Sequence, residues 1–522
     1  MKEILLGNEA IVRGALETGV QFVSTYPGTP ASEIGDAFYK ISKKTAIYFE
    51  YSVNEKVALE AGAGAAFSGL KTLVAMKSFG LNVASDFLIP LVYSGVRGSL
   101  VLVVADDPGC SSSAQSEQDS RAYSYLAHIP TLEPADPEEC EDFTKLAFEI
   151  SAKYKIPVMI RTTTRVALQS APVSLGKVIQ NATKAKFIKD FNQFVTMPPR
   201  VLEMKRELLE KIEKMRKEIS EKSEINKIYP GKSRLGIITS GVSFLYVQEA
   251  LQELKLDLPV LKLGFFYPLP KNKIKNFIKK LDKVLVIEEL DHWIEKEIRT
   301  IGALRATSII GKRFFPKIGE LRPEIVAQAI AKFTNTKYKI QNTKYKIFEK
   351  SPQFCPGCLY WLIFQAVKNA TRNKQVIFGG EIGCYMLAGQ KPFNLQDYLF
   401  CMGSSVGIGH GINKSTNQEI IAFVGDSSFF HAGIPALINA IFNKSNLLII
   451  ILDNQTTAMT GHQPNPGSKI KIEDIIKACQ VKNLKIIDSK NINLFEKTIK
   501  AFLDKKDISV IIARLPCIRI ST

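Results

Sequence analysis

The sequence predicts an α/β protein whose domains are doubly wound parallel sheets with helices on both faces. Short apolar runs typical of strands alternate with helical patterns along most of the 522-residue chain. In the last third of the chain, polar residues directly follow two such runs, as they do where parallel strands end at a ligand site. With 46% hydrophobic residues, this length suffices for about three to four domains that bury their own cores.

The pattern divides the chain into three α/β domains and two linkers. Strands are predicted in QFVSTYP, AIYFEY, KTLVAM, SLVLVVADD and IPVMIRTTT of the first domain, and in RLGIITSG, PVLKLGF and KVLVIEE of the second. The first linker carries a charged, exposed helix, and the second contains the tandem repeat TKYKIQNTKYKI, which marks a boundary that tolerates insertion. The segments are 1–175, 176–230 (linker), 231–335, 336–350 (linker) and 351–522.

Composition excludes several classes of protein. No run of about 18 apolar residues predicts a membrane span, and the start MKEILLGNEA is unlike a signal peptide, so we expect a cytoplasmic protein with no membrane partner. Eight cysteines in so long a chain argue against a disulfide scaffold.

The net charge of +18 has two interpretations. It either reflects the nucleotide composition behind an Ile/Lys/Asn-rich sequence, or it attracts diphosphate, CoA and an acidic electron carrier. No basic stripe interleaved with aromatic residues is present in the sequence, so nucleic acid is not an expected partner.

The most informative motif lies in the third domain, where polar residues follow two apolar strands. Gly425, Asp426 and Ser427 come after the first strand, and Asn454 comes after the next, about one βα unit later. Carboxylate and carboxamide oxygens at such strand ends suit Mg²⁺ that shares its coordination shell with a diphosphate. The alternative is an ordinary βαβ unit in which Asp426 caps its helix.

Two residues of the first domain are candidates for catalysis or binding. Glu55 stands near the start of a helix rich in Ala and Gly, whose small residues let another surface approach, although they equally predict tight helix packing alone. Thr29 lies in STYPGTPASE, where its hydroxyl and the exposed amides of the following helix would hold a carboxylate. The alternative for Thr29 is a turn and a helix cap.

Several longer motifs together resemble one family. The segments YPGTPASE, NEKVALEAGAGA, MKSFGLNVASD, VVADDPGCSSSAQSEQDSR, FCPGC, GDSSFFHAGIPALINAI and LDNQTTAMTGHQPNPG are similar to the alpha subunit of indolepyruvate:ferredoxin oxidoreductase, in the 2-oxoacid:ferredoxin oxidoreductase superfamily. The motifs extend from Tyr26 to Cys517. The resemblance implies a thiamine-diphosphate-binding fold with a pyrimidine-binding domain (1–175), a transketolase C-terminal-like domain (231–335) and a diphosphate- and Mg²⁺-binding domain (351–522).

The resemblance also implies roles for residues of the first domain. Glu55 would bond the pyrimidine N1′ of thiamine diphosphate and so promote loss of the thiazolium proton, and Thr29 would contact the substrate carboxylate. Gln115, Gln118 and Arg121 match a family loop near the cofactor.

In the third domain, the resemblance implies a set of cofactor ligands. Asp426, Asn454 and the backbone carbonyl of Thr456 would hold Mg²⁺. His431 also matches its family motif, with no role assigned. The residues implied around the cofactor are Gly403, Ser404, Gly425, Asp426, Ser427, Asn454, Thr456 and His462.

Four cysteines match a family metal centre. Cys355 and Cys358 form CPGC, Cys384 lies in EIGCY, and Cys517 lies in ARLPC. In the superfamily's thiamine-binding subunits, cysteines with this order hold one 4Fe-4S cluster near the cofactor. A four-cysteine zinc site and free buried thiols are the alternatives.

The predicted activity is oxidative decarboxylation of an aryl 2-oxo acid, such as indolepyruvate, to acyl-CoA with electrons passed to ferredoxin. A beta subunit is implied, so we expect a hetero-oligomer. The alternatives are a non-oxidative decarboxylase that releases an aldehyde, an acyl-transfer relative without redox coupling, and a scaffold subunit.

The sequence departs from the family pattern at three places. It stops at Thr522 without the two C-x2-C-x2-C-x3-C-P runs of a ferredoxin-like domain, so we expect electrons to leave through the cluster, through another subunit, or not at all. Ferredoxin or a separate ferredoxin-like subunit is the expected partner. Leu359 and Tyr360 replace the usual Pro-His after CPGC, and Glu381 replaces the usual Asp before IGC.

Overall fold

The computed structural model describes residues 2–180, 185–301, 308–338, 352–416 and 418–520. Most of the tandem repeat predicted between Thr336 and Ile347 lies outside these residues. The chain divides into two compact units, Met1–Lys344 and Tyr345–Thr522. Within the described ranges, every helix is too short or too polar to span a lipid bilayer.

Strands and helices alternate through the first unit, as the sequence predicts. Its strands are β1 (Lys2–Leu6), β2 (Phe22–Thr25), β3 (Tyr48–Tyr51), β4 (Lys71–Lys77), β5 (Ser99–Asp106), β6 (Thr131–Leu132), β7 (Val158–Thr163), β8 (Ser170–Ser174), β9 (Lys227–Tyr229), β10 (Leu235–Ser240), β11 (Val260–Leu263), β12 (Phe265–Tyr267), β13 (Lys283–Ile287) and β14 (Ser308–Ile310). Its α-helices are α1 (Gly7–Thr18), α2 (Ser32–Ser42), α3 (Glu55–Phe67), α4 (Ser78–Ser94), α5 (Ala122–Leu126), α6 (Pro137–Tyr154), α7 (Thr164–Leu168), α8 (Phe191–Phe194), α9 (Arg200–Met215), α10 (Ser243–Glu253), α11 (Lys271–Ile278), α12 (Trp293–Thr300) and α13 (Pro323–Thr334).

The main sheet of the first unit has the strand order β12-β6-β7-β5-β4-β2-β3 and is parallel except at β12. The central strand β5 reads SLVLVVAD and is buried along its whole length. A parallel strand covered on both faces needs such a nearly continuous apolar run, so the predicted fold class is confirmed here. The antiparallel ribbon of β1 and β8 was not predicted.

A second sheet, of order β14-β13-β10-β11-β9, lies in the same unit. The segment predicted as a separate second domain also contributes β12 to the main sheet, where β12 pairs antiparallel with β6. One hydrophobic core, which includes Val103 and Leu285, continues through both segments. The two segments therefore share a sheet and a core, and the five-segment division of the chain remains a prediction.

The charged helix predicted in the first linker is α9, and it is only partly exposed. Met204, Leu208, Ile212 and Met215 are buried on one face, and α9 contacts α4. These residues recur at intervals of three or four, which places them on one side of a helix. The helix is thus a packed element of the first unit with one charged face in solvent.

The second unit is built around one parallel sheet of order β16-β15-β17-β18-β20-β19. Its strands are β15 (Val376–Gly380), β16 (Tyr398–Leu399), β17 (Glu419–Gly425), β18 (Leu448–Asp453), β19 (Asn483–Asp488) and β20 (Ser509–Arg514). Its α-helices are α14 (Tyr360–Thr371), α15 (Ser404–Ser415), α16 (Asp426–Ser428), α17 (Ile434–Phe442), α18 (Ile472–Ala478) and α19 (Ile492–Leu503).

Candidate active site

The candidate site of the second unit lies where β17 and β18 end. These strands are adjacent and parallel, with Gly425 opposite Leu452. Asp426 begins the helical turn after β17, and Asn454 directly follows β18. Because both strands are buried, polar side chains are confined to their ends, at the edge where ligand crevices form. The structure therefore brings Asp426 and Asn454 to one edge of the sheet, as their spacing predicts.

Asp426 is a buried carboxylate whose hydrogen-bond partners are neutral. It accepts the side-chain amide of Asn465 at 3.0 Å and the backbone N–H of Ser427 at 2.8 Å. Burial raises the pKa of Asp426 to about 7, although these hydrogen bonds act in the opposite direction. Among the described residues, no lysine or arginine forms an ion pair with it. A bound cation would compensate its charge, so the carboxylate fits a Mg²⁺ site.

The loop after β18 folds back on the end of β17. Asn454 Oδ1 accepts the backbone N–H of Thr456 at 3.1 Å, and its amide lies 3.2 Å from the Tyr360 hydroxyl. The hydroxyls of Ser427 and Thr457 are 3.1 Å apart. The loop thus adds carboxamide and backbone oxygens at the end of the sheet, and such oxygens are the ligands that Mg²⁺ prefers.

Glu381 links two of the loops predicted to surround the diphosphate. One carboxylate oxygen accepts the backbone N–H of Gly403, and the other accepts that of Gly425 at 3.3 Å and the Tyr385 hydroxyl at 2.6 Å. Glu381 is fully buried, and burial raises its pKa to about 7 against these hydrogen bonds. One carboxylate therefore fixes the spacing of both loops. This role was not predicted, because Glu381 and its glycine partners are far apart in sequence.

Gly403 immediately precedes α15 and turns the chain into it. Its φ is +80°, and a Cβ there would come within 2.7 Å of the Ala432 backbone, so a side chain is excluded on both grounds. Ser404 begins the helix and donates its hydroxyl to Cys401 O at 2.5 Å. The first N–H groups of a helix favour anions, which fits the predicted place of Gly403 and Ser404 beside a diphosphate.

In the first unit, Glu55 is the first residue of α3. The side chain of the preceding Asn54 accepts the Val57 N–H at 2.9 Å and caps the helix. Glu55 is buried, and a Cβ at Gly80 on α4 would lie 2.7 Å from its Oε1. Glycine at position 80 therefore leaves the space that the Glu55 carboxylate occupies.

The glycines of α3 have different surroundings. A Cβ at Gly62 would lie 2.5 Å from a Val74 methyl group, so this glycine lets α3 pack directly on β4. Gly64 faces open space. The packing interpretation therefore holds for Gly62, whereas Gly64 leaves room on the helix surface.

Thr29 lies in the turn between β2 and α2 and is half-buried. The turn is closed by a hydrogen bond from Ala31 N–H to Gly28 O at 2.8 Å, and the Thr29 carbonyl accepts the Ser112 hydroxyl at 3.1 Å. Helix α2 begins at Ser32, so Thr29 precedes the helix rather than capping it.

The four predicted cluster ligands lie near one another. Cys358 N–H donates to Cys355 O at 3.0 Å, which closes the CPGC turn. Burial raises the pKa of Cys384 to about 12, and the thiols of Cys358, Cys517 and Cys355 act in the same direction. Within the described residues, however, no three His, Cys, Asp or Glu side chains are placed so that they would hold a metal ion. The cysteines are gathered without a completed metal geometry, and the cluster stays a prediction.

The histidines of the motifs occupy different surroundings. His462 Nε2 lies 3.5 Å from the Cys517 thiol, which puts this predicted cofactor residue beside the cysteine group. His431 is buried in the π-helical turn Phe429–Gly433, between α16 and α17.

The loop of Gln115, Gln118 and Arg121 contributes to structure. Arg121 is 1% exposed, and its guanidinium bonds Asp119 at 2.7 Å and Glu288 at 3.0 Å. Gln118 donates to the Ser78 carbonyl at 3.1 Å. Arg121 thus joins the two segments of the first unit, a role that its place in the family motif did not predict.

A second buried arginine balances other acids of the first unit. Arg161 bonds Asp106 at 2.8 Å and Glu133 at 2.5 Å, and all three side chains are almost fully buried. Burial raises the pKa of Asp106, while Arg161 acts against this shift. Arginines of this unit therefore compensate four of its buried carboxylates, those of Asp106, Glu133, Asp119 and Glu288.

Three family models match the chain. They are "Pyruvate flavodoxin/ferredoxin oxidoreductase, thiamine diP-bdg" over residues 13–224, "Indolepyruvate oxidoreductase domain" over 227–346, and "Thiamine pyrophosphate enzyme, C-terminal TPP binding domain" over 381–513. Among solved structures, 2-oxoglutarate:ferredoxin oxidoreductase from Magnetococcus marinus matches with a TM-score of 0.53 and 19% identity. That match covers 63% of this chain and 65% of the other, just under two thirds of its length, and it supports the fold alone. The class is therefore the thiamine-diphosphate-dependent 2-oxoacid oxidoreductases.

Curated relatives match over almost the whole chain. The "Indolepyruvate oxidoreductase subunit IorA" of Methanothermobacter marburgensis is 44% identical over 98% of this chain and 86% of its own length. The proteins of the same name from Thermococcus kodakarensis and Archaeoglobus fulgidus are 40% and 38% identical, over 98% and 99% of this chain and 85% and 86% of their own lengths. The chain belongs to the family of the indolepyruvate oxidoreductase subunit IorA.

Proposed function

We propose that this chain is the catalytic, thiamine-diphosphate-binding alpha subunit of an enzyme that oxidatively decarboxylates aryl 2-oxo acids, of the indolepyruvate type, to acyl-CoA. Ferredoxin accepts the electrons. The observation that carries the proposal is the near-complete match to relatives named for this activity. The Asp426 and Asn454 side chains at neighbouring strand ends support it independently.

The second unit holds the diphosphate through Mg²⁺ in this proposal. Asp426, Asn454 and the Thr456 carbonyl would supply the metal's oxygen ligands, and the N–H groups at the start of α15 would favour the negative charge of the diphosphate. Glu381 keeps the loops of Gly403 and Gly425 at a fixed distance, so the diphosphate-binding loops are preorganised before the cofactor binds. When bound, thiamine diphosphate supplies the nucleophilic carbon and the electron sink for decarboxylation.

The first unit carries a buried carboxylate, Glu55, that suits a pyrimidine ring. Glu55 would bond the ring nitrogen of the bound cofactor and hold or release a proton there, and Gly80 keeps the space for this side chain open. Thr29 orients the substrate carboxylate. Glu55→Gln should retain thiamine diphosphate binding and lose turnover by about 100-fold or more, as expected for a lost proton-transfer group. Full activity in this variant would refute the assignment.

The electron route is proposed to begin at a 4Fe-4S cluster held by Cys355, Cys358, Cys384 and Cys517. Besides burial, the thiols of Cys355 and Cys517 raise the pKa of both Cys358 and Cys384, which supports a common site, and thiolates are the usual ligands of such clusters. Iron and sulfide analysis of anaerobically purified protein tests this, with Cys355→Ala as the variant and Cys479→Ala, at a cysteine outside the group, as the control. Loss of iron in the first variant alone supports the cluster. Zinc, or no metal, in the wild-type protein refutes it.

A beta subunit and ferredoxin, or a separate ferredoxin-like subunit, complete the proposed enzyme. The decisive experiment is anaerobic co-purification of the chain with the partner subunit, followed by an assay of CoA-dependent viologen reduction with indolepyruvate. Acyl-CoA formation with dye reduction is the expected result. Release of indole-3-acetaldehyde without dye reduction would instead identify a non-oxidative decarboxylase.

A further inference from the structure

A buried lysine, Lys77, lies beside Thr29 in the first unit. It is the last residue of β4, so it stands at the carboxyl edge of the main sheet, where ligand crevices form. Its side chain is only 10% exposed. A Cβ at Gly28 would lie 2.9 Å from the Lys77 Cβ, so the lysine stem runs directly past the turn that carries Thr29.

The hydrogen bonds of the Lys77 ammonium group go to neutral acceptors. Nζ donates to Ser112 O at 2.9 Å and to Ser112 Oγ at 3.3 Å, and that hydroxyl also bonds the Thr29 carbonyl. The Asp107 carboxylate forms an ion pair with Nζ at 3.8 Å, a distance longer than a hydrogen bond. An ammonium group has three donors and bonds most strongly to an anion. A carboxylate reaching this position would therefore be a better acceptor than Ser112.

Hydrogen bonds, and more weakly the charge of Lys77, stabilise the charged form of Asp107. It accepts Ser112 N–H at 2.7 Å, the Ser113 hydroxyl at 2.6 Å and the Thr164 hydroxyl at 2.7 Å. Burial would raise the pKa of Asp107, but these hydrogen bonds hold it below its usual value. Burial lowers the pKa of Lys77, so removing the lysine from water is not fully compensated by its present contacts.

Lys77 also lies close in the chain to the residue that accommodates Glu55. Gly80 is three residues after Lys77, in the first turn of α4, and its missing side chain leaves room for the Glu55 carboxylate. Lys77, Thr29 and Glu55 therefore stand at the same edge of the sheet. Ser112 is exposed, so a ligand from solvent can reach the acceptors of the Lys77 ammonium group.

We propose that Lys77 binds the carboxylate of the 2-oxo acid together with Thr29, and that the carboxylate oxygens replace Ser112 as acceptors of its ammonium group. This inference rests on the proposed function, because the 2-oxo acid brings the carboxylate to Thr29. The contact forms when substrate binds and does not strengthen as CO₂ leaves. Its loss should therefore raise KM and leave kcat nearly unchanged.

The test uses Lys77→Met in the chain co-purified with its partner subunit. KM for indolepyruvate should rise about 10- to 100-fold, the range expected for one charge-assisted contact, with kcat within about threefold. The inhibition constant of indole-3-lactate, which keeps the carboxylate, should rise equally, while that of its amide should not change. Lys77→Arg should retain much of the preference for acid over amide.

Two control variants separate substrate binding from support of the loop. Lys71→Met removes a lysine at the other end of β4, where Nζ donates to Thr18 O at 2.6 Å, and should leave KM unchanged. Ser112→Ala removes one acceptor of Lys77 and should leave KM unchanged or lower it. If Ser112→Ala instead reproduces the effect of Lys77→Met, the lysine only supports the loop and the proposal fails.

The remaining outcomes are also decisive. The lysine–carboxylate contact is overturned if KM is unchanged in Lys77→Met, or if the inhibition constants of the acid and the amide rise equally. Turnover of the 2-oxo acid by the wild-type complex would still support the proposed function in that case. Absence of 2-oxo acid turnover in the wild-type complex overturns both. Thiamine diphosphate affinity and circular dichroism show whether Lys77→Met is misfolded. If it is, Lys77→Gln replaces it as the uncharged variant, because glutamine keeps a polar side chain of similar length.

Discussion

Two buried aspartates, one in each unit, have the same side chain and opposite environments. Asp119 lies against the Arg121 guanidinium at 2.7 Å: burial would raise its pKa, but the charge and hydrogen bonds of Arg121 lower it. Asp426 is bonded to an amide and to backbone N–H groups, and burial raises its pKa to about 7. Burial alone therefore does not decide the charge of an acid; the nearest cation does.

The difference separates a structural acid from a ligand-binding one. Asp119 is paired with Arg121, and this buried ion pair stabilises the first unit. Asp426 lacks such a partner among the described residues, so its ionised form is favoured when a cation binds. Substitution of Arg121 should therefore destabilise the first unit, whereas substitution of Asp426 should impair cofactor binding rather than stability.

The largest expected effect is on stability, from Arg121→Met. The variant leaves Asp119 and Glu288 buried without their cation, so the free energy of unfolding should fall by about 3–5 kcal/mol. Urea unfolding followed by circular dichroism measures it. The control is Arg165→Met, which removes an exposed ion pair with Glu320 and should cost less than about 1 kcal/mol. Equal effects of the two variants would mean that Arg121 does not act as a buried counter-ion.

The next effect is on catalysis, from Asp426→Asn. The amide cannot supply the charge that Mg²⁺ requires, so turnover should fall by at least about 100-fold, or about 2.7 kcal/mol. The melting temperature of the cofactor-free protein should stay the same or rise, because an uncompensated buried acid is lost. The matched control is Asp488→Asn, at the exposed carboxyl end of β19 in the same sheet, and it should leave turnover and melting temperature unchanged. A clearly lower melting temperature of cofactor-free Asp426→Asn would contradict the view that Asp426 binds a ligand rather than stabilising the fold.

A third effect is the pH dependence of Mg²⁺ binding. The folded-state pKa of Asp426, about 7, exceeds its ordinary value of 3.8, so its contribution to stability is present below about pH 4 and is lost as the pH rises through about 7. Mg²⁺ binds the ionised form, so its affinity should fall about tenfold per unit as the pH drops below about 7. Calorimetric titration with thiamine diphosphate at about pH 6 and about pH 8 measures this slope. Asp426→Asn should remove this pH dependence. Affinity that does not change with pH in the wild-type protein would count against Asp426 as a Mg²⁺ ligand.

The smallest effect comes from Tyr360→Phe. The variant loses the hydroxyl that lies 3.2 Å from the Asn454 amide, so the Kd for thiamine diphosphate with Mg²⁺ should rise about two- to fivefold, as for one lost neutral hydrogen bond. Tyr154→Phe is the control: its hydroxyl donates to Glu218 at 2.7 Å in the first unit, and the Kd should not change. A rise in both variants would indicate a general loss of packing.

The parts of the site that follow strand ends could be predicted from the sequence. Asp426 and Asn454 come directly after continuous apolar runs, and parallel strands must bring such residues to one edge. The group of four cysteines stays a prediction, and only the family resemblance connected Cys517 with CPGC.

The contacts between distant segments could not be predicted. Glu381 was visible only as a departure from the family's Asp, and Asn465 only as one letter in a long motif; their partners became known from the fold. Arg121 was known only as part of a family loop near the cofactor, and the sequence does not reveal that Glu288 lies within 3.0 Å of it. Pairings across many residues depend on tertiary structure rather than on spacing.

Strand β12 has a practical consequence for anyone who divides this chain into fragments. It covers the free edge of β6, so a fragment that ends at residue 230 would present an open strand edge to solvent. The same cut would separate Arg121 from Glu288 and leave a buried cation short of one acid. Such a fragment is expected to self-associate, and a stable version of the first unit should extend through α13.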